Sequence, residues 1–158
     1  MLWMKHVLSN SWHEVLRFDM GDDVTGGILE FAKDKKLEGA WLSVIGGSKK
    51  VELSFYDLEK KEYLKKVFED PVEILQASGT IAVAEGKPVL HLHGVFGRAD
   101  FSTFGGHIHQ LTANATAEVF IHKFNESLGR TFSPVRSVLP RSTLGRKHDP
   151  KTGLNLLD

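Results

Sequence analysis

The sequence predicts one compact α/β domain of the α+β kind, with few helices and mostly antiparallel sheet, and three observations lead to it. The chain has 158 residues, the usual size of a single domain, and folding at that length buries roughly 70 % of the surface an extended chain exposes. Hydrophobic residues make up 41 % and charged residues 25 %, a globular balance without the charge excess of a disordered chain. The third observation is periodicity: one segment carries apolar residues at helical spacing, and most of the remainder alternates as strands do. The domain is expected over residues 1–145, with 146–158 as a C-terminal tail.

Taken in order, Arg17-Phe18-Asp19 reads as the polar end of a strand. Gly21-Asp22-Asp23 then precedes Val24, Ile28, Leu29, Phe31 and Ala32, whose spacing predicts a helix from about Asp23 to Lys36. The acidic pair suits the first turn, and Gly39 suits the end. Ala40 to Ile45 and Val51 to Tyr56 read as two strands joined near the Gly46-Gly47-Ser48 turn. Glu62 to Phe68 and Val72 to Ala84 continue as strands, and Gly86-Lys87-Pro88 is a turn. Residues 88–97 and 106–122 look like two long strands around a loop, and a short strand is expected at 136–139. There is no internal repeat and no low-complexity segment.

Composition excludes several functions. Twenty basic side chains balance twenty acidic ones, so no global field draws the chain onto polyanions. The C-terminal stretch holds a local excess in Arg130, Arg136, Arg141, Arg146, Lys147 and Lys151, which reads as a solvated face. The absence of cysteine rules out disulfides, thiolate zinc sites and cysteine nucleophiles, so a metal must be held by nitrogen and oxygen. No apolar run approaches the ~18 residues of a membrane span, and Met1 to Leu8 is too short and polar for a signal segment, which predicts a cytoplasmic protein. No nucleophile elbow, phosphate-binding glycine loop or dinucleotide fingerprint occurs.

The informative residues are four histidines. Residues i and i+2 of a strand share a face, so His91 and His93 point one way while Leu90, Leu92 and Phe96 point the other. His107 and His109 repeat the arrangement. A hairpin centred near Asp100 sets His93 opposite His107 and His91 opposite His109, with Cβ atoms ~5 Å apart across the ladder. Imidazole suits zinc, copper, nickel and iron, and three imidazoles with an open fourth position are a common way to hold a catalytic zinc. Gly105-Gly106 before His107 permits close backbone approach. His91, His93, His107 and His109 are therefore the candidate ligands of a transition-metal ion, zinc by preference. His6, His13, His122 and His148 stand apart. Asp100 could swing over the metal from the loop or remain a solvated acid. Glu118, nine residues past His109, should face away unless a bulge intervenes. No catalytic residue can be assigned.

With these residues in hand the chain resembles the plant and prokaryote conserved (PPC) domain family, whose members stand alone in bacteria and archaea and accompany AT-hooks in plant nuclear proteins. The resemblance rests on Arg17-Phe18-Asp19-x-Gly21-Asp22-Asp23, Ile45-Gly46, Glu73-Ile74-Leu75, Ser78-Gly79-Thr80-Ile81, His91-Leu92-His93, Gly97, Gly105-Gly106-His107 and Thr116-Ala117-Glu118-Val119. It implies an antiparallel sandwich with few helices, a homotrimer with sites near subunit boundaries, and a metal site at His91, His93 and His107. Phe101 stands where the loop often has glycine, and His109 with Leu111 departs from the family pattern, so His109 is a ligand by spacing alone. The Arg-Gly-Arg-Pro core of an AT-hook is missing from the sequence. Three functions follow as expectations: a trimeric metal-binding protein and metal-dependent enzyme, an interaction module with structural metal, or a DNA-associated regulator.

Overall fold

In the computed structural model the structure describes residues 4–124 and 145–157. Among these described residues, nine strands and one helix follow in the order β1 (Met4–Ser9), β2 (His13–Asp19), α1 (Val24–Asp34), β3 (Ala40–Asp57), β4 (Glu62–Phe68), β5 (Val72–Ala84), β6 (Lys87–Gly97), β7 (Thr103–Lys123), β8 (Arg146–His148) and β9 (Asn155–Leu157). The strand expected at 136–139 lies outside the described residues.

The main sheet is antiparallel throughout, in the order β1-β2-β7-β6-β5-β3-β4, and β7 also pairs with β3. Strands β3, β5, β6 and β7 therefore close into a ring, and the sheet folds over itself as the antiparallel sandwich that was expected. Apolar side chains at alternate positions fill its interior, among them Leu42, Val44, Val51, Ile81, Leu92, Phe96, Leu111 and Val119, all fully buried. At ~1.5–3 kcal/mol for each large side chain removed from water, this row supplies most of the drive to fold.

Helix α1 lies against β6 and β7 and buries Val24, Ile28, Phe31 and Ala32. Asp23 caps it, accepting from the Gly26 amide at 3.0 Å. The helix ends earlier than expected. Lys36 takes the left-handed conformation, φ 53°, and the Leu37 amide turns back to the Ala32 carbonyl, so the chain has left the helix before Gly39.

A second correction concerns Gly46-Gly47-Ser48. It is not a turn between two strands but an irregularity inside the single strand β3. Gly46 sits at φ +129°, and a Cβ there would lie 2.3 Å from the Thr116 carbonyl oxygen. Only glycine fits, and it is used to kink a long strand rather than reverse it.

Residues 146–157, assigned to a tail on composition, contain the hairpin β8–β9. The hairpin is tied to the body by the Tyr56 hydroxyl donating to the Thr152 carbonyl at 2.9 Å and by a bridge between Val83 and Gly145. Among the described residues, no helix is long and apolar enough to cross a membrane.

Candidate metal centre

The centre is built on the β6–β7 hairpin. His93 pairs with His107 across the ladder, Gly94 with Gly106 and Val95 with Gly105, the register that a hairpin centred near Asp100 requires. A Cβ on Gly105 would come 2.4 Å from the Gly94 carbonyl oxygen, so the two backbones can meet beside the histidines only without a side chain there. The flanking strands complete the walls. Ser78 and Thr80 of β5 lie opposite His93 and His91, and Ser54 of β3 lies opposite His107.

Three imidazoles converge. His91 Nε2 is 3.1 Å from His93 Nε2, His93 Nε2 is 3.4 Å from His107 Nδ1, and the three residues offer ligand atoms all within 4.8 Å of one another. Two nitrogens bound at ~2.0–2.1 Å to a tetrahedral zinc lie about 3.3–3.4 Å apart. The two short separations match that spacing, and the third lies within 4.8 Å.

Electrostatics favour the ligating form. Burial, with the Arg146 guanidinium and the His93 ring, pushes His91 down to about 4. Burial, with the neighbouring histidines and Arg146, does the same to His107. Both rings are therefore neutral near pH 7, with lone pairs available to a metal. His93 is the exposed member of the group, which leaves the outer side of the cluster open to solvent.

His109 stands beside the three without joining them. In the β3–β7 ladder Glu52 pairs with Gln110 and Leu53 with Ile108, so His109 is the extra residue of a β-bulge. The bulge re-aims its ring, and Nε2 lies 2.8 Å from the Ser54 hydroxyl oxygen. Its ring centroid remains 4.8 Å from that of His107. The same bulge shifts the alternation of β7, so Glu118 shares the outward side with His107 but lies far along the strand, opposite Arg17 and Ile45. Asp100 is bound into its own turn, accepting from the Ser102 amide at 2.9 Å, at the closed end of the hairpin.

Of the histidines set apart by sequence, His6 contacts the buried Glu14. His13 and His122 face each other across β2 and β7, with 3.1 Å between His13 Nε2 and His122 Nδ1. They border a cleft of about 360 Å³ lined in part by Trp41 and Phe120, at the other end of β7 from the three-histidine group.

Sequence reasoning missed three neighbours of that group. Arg146 Nη2 lies 2.8 Å from His91 Nδ1 and donates to the Thr80 hydroxyl oxygen at 3.0 Å. Tyr63 of β4 places its ring against both His107 and His109, 5.4 and 5.3 Å from their centroids. Each comes from a strand with no local signal pointing at the histidines. The one available hint was composition, since Tyr63 of β4 is an aromatic among lysines.

The model of the Plants and Prokaryotes Conserved (PCC) domain matches residues 10–125. A metal-containing protein from Archaeoglobus fulgidus is 30 % identical and superposes with a TM-score of 0.77 over 99 % of each chain. A candidate DNA-binding protein from Bacteroides thetaiotaomicron gives a TM-score of 0.84 at 22 % identity, over 99 % of this chain and 97 % of that one. A plant- and prokaryote-conserved protein from Pyrococcus horikoshii gives 0.77 at 22 % identity, over 96 % of this chain and 97 % of that one. At such identities the last two speak to the fold alone. No curated protein matches the chain.

Proposed function

This chain belongs to the Plants and Prokaryotes Conserved domain family, and from that premise we propose that it is a homotrimeric metal-binding protein whose zinc ion is held by His91, His93 and His107. The observation that carries the proposal is the convergence of three imidazoles whose ligand atoms all lie within 4.8 Å of one another, two of the separations at 3.1 and 3.4 Å. The metal-containing relative from Archaeoglobus fulgidus supports it at 30 % identity. An all-nitrogen donor set favours a borderline ion over magnesium or calcium, which take oxygen ligands.

Three protein ligands leave a fourth position for water or substrate, which distinguishes a reactive site from a closed structural one. When bound, the ion supplies Lewis-acid chemistry to a molecule in that position. The chain's own residues orient it. Thr80, Arg146 and Tyr63 border the three rings, and the Ser54 contact holds His109 beside the ligands as a neighbouring donor or acceptor. The reading is thus a metal-dependent enzyme with no assigned substrate. Trimer formation is supported by an apolar strip on the outer face of β3 and β7, where Trp41, Ile45 and Phe120 are each more than two-fifths exposed.

The test is metal content by plasma mass spectrometry on untagged protein. We expect about one transition ion per chain, lost in the His91→Ala, His93→Ala double variant and retained in His109→Ala. Wild type free of metal after reconstitution with zinc would remove the proposal. Loss of metal in His109→Ala would make that residue a fourth ligand and the site a closed one.

A further inference from the structure

We infer that His13 and His122 form a second metal site, built from two imidazoles, that takes a borderline divalent ion such as copper(II) or nickel(II). It lies at the other end of β7 from the three-histidine group and does not rest on that group's binding a metal.

Register is the first argument. His13 of β2 and His122 of β7 are directly paired, so both side chains leave the sheet on the same face. Both are exposed. The ladder continues without a shift from this pair to Asp19 and Thr116. At its open end the Asn10 side chain accepts from the Trp12 and His13 amides at 2.8 and 2.7 Å, and the Lys123 amide donates to the Trp12 carbonyl at 2.7 Å. The two backbones are thus fixed at the residues that carry the rings. An ion that binds one ring meets the second without ordering the chain.

Nitrogen spacing is the second. His13 Nε2 and His122 Nδ1 are 3.1 Å apart, with ring centroids 5.0 Å apart and planes inclined at 55°. Two nitrogens bound at ~2.0–2.1 Å to one ion lie about 2.8–3.0 Å apart at a right angle and about 3.3–3.4 Å apart in a tetrahedron. The observed spacing falls between. Without an ion, one ring donates to the other. A hydrogen bond between exposed neutral groups contributes little net, so it yields to an ion that takes both lone pairs.

The donor set fixes the class of ion. Among the described residues, no third His, Asp or Glu atom joins the two rings, so water fills the remaining positions. The Glu14 carboxylate is engaged elsewhere, accepting from Lys123 Nζ at 2.6 Å, and both residues point to the opposite face from their histidine neighbours. Calcium and magnesium, which seek oxygen ligands, find no carboxylate here. Two imidazoles with water suit the tetragonal nitrogen and oxygen sphere of copper(II) or nickel(II), with copper first in the affinity order.

The experiment titrates full-length, untagged protein with copper(II), counts the bound ion, and reads electron paramagnetic resonance, whose splitting reports the coordinated nitrogens. Wild type and the His91→Ala, His93→Ala variant serve as two backgrounds. In each, His122→Gln should remove one copper per chain or weaken it roughly a hundredfold, the low end of the range for losing one arm of a two-point contact. His13→Gln, on the other strand, should do the same. The background without His91 and His93 should keep a copper with a two-nitrogen signal, which separates this site from the other. Circular dichroism checks that each variant is folded.

A copper count and splitting unchanged by His122→Gln and His13→Gln overturn the site, whatever the three-histidine group binds. Loss in only one of the two folded variants also overturns it, because a shared site needs both rings. No copper bound by the folded His91→Ala, His93→Ala variant does so again; should that variant not fold, the comparison in wild type decides.

Discussion

His91 and His107 show how burial sets the protonation of a clustered histidine. Each is held at about 4, against 6.5 for an ordinary histidine, so both stay neutral where a solvent-exposed pair would be half protonated. Metal retention should persist well below pH 6, and a release curve by equilibrium dialysis checks this. The same depression sets a stability slope in metal-free protein. Between about 4 and 6.5 the folded state binds fewer protons than the unfolded one, so stability rises with pH across that window and is lost as pH falls. Thermal melts of metal-free wild type should show the slope, and the His91→Asn, His107→Asn variant should flatten it. Glu14 does not confound the window. Burial pushes its carboxyl up, but bonds from Lys123, His6 and Ser9 outweigh this and hold it below its ordinary 4.5, so its stabilisation is lost only at lower pH. The three-histidine cluster was legible in the sequence because it lies in one hairpin, where two-residue alternation and a loop centre determine the pairing. Arg146 was not. It arrives from a distant strand through a contact that no local spacing encodes.

At the scale of elements, the β6–β7 hairpin depends on Gly105. Alanine there sets a Cβ 2.4 Å from a backbone oxygen, and backbone cannot step aside as a side-chain end can. Gly105→Ala should lower stability by about 1–3 kcal/mol, the range for overpacking, and should weaken metal retention by prying His93 from His107. Chemical denaturation and metal content, measured together, check both. Gly105-Gly106 was readable as a close approach because it adjoins the ligand. Gly46-Gly47 misled, since a bulge and a turn draw on the same residues and only the pairing of β3 with both β5 and β7 tells them apart. His109 carries the same lesson. Its spacing promised a fourth convergent ring, but the bulge at that position is dictated by β3, more than fifty residues earlier. Helix α1 was placed correctly by its apolar spacing and its Asp23 cap, while its end moved because Lys36 adopts the conformation expected of a glycine.

For the whole molecule, the exposed strip of Trp41, Ile45 and Phe120 bears on assembly. Light scattering at micromolar concentration should give the mass of three chains, and Trp41→Lys should shift it toward one. A wild-type monomer would remove the trimer. DNA association has less physical footing, because charge is balanced over the chain. The closed ring has a kinetic corollary. Its β2–β7 neighbour pairing joins Arg17 to Glu118, residues about a hundred apart, and such long-range pairs are slow to form because the loop between them must be closed first. The clustered histidines need no such search: all three lie between positions 91 and 107, within a single hairpin, the kind of local unit that forms in ~1–10 μs. Under the metal proposal, an ion present during synthesis meets the three histidines while the N-terminal strands are still unpaired, and so acts on the route by which the sheet closes as well as on the finished protein.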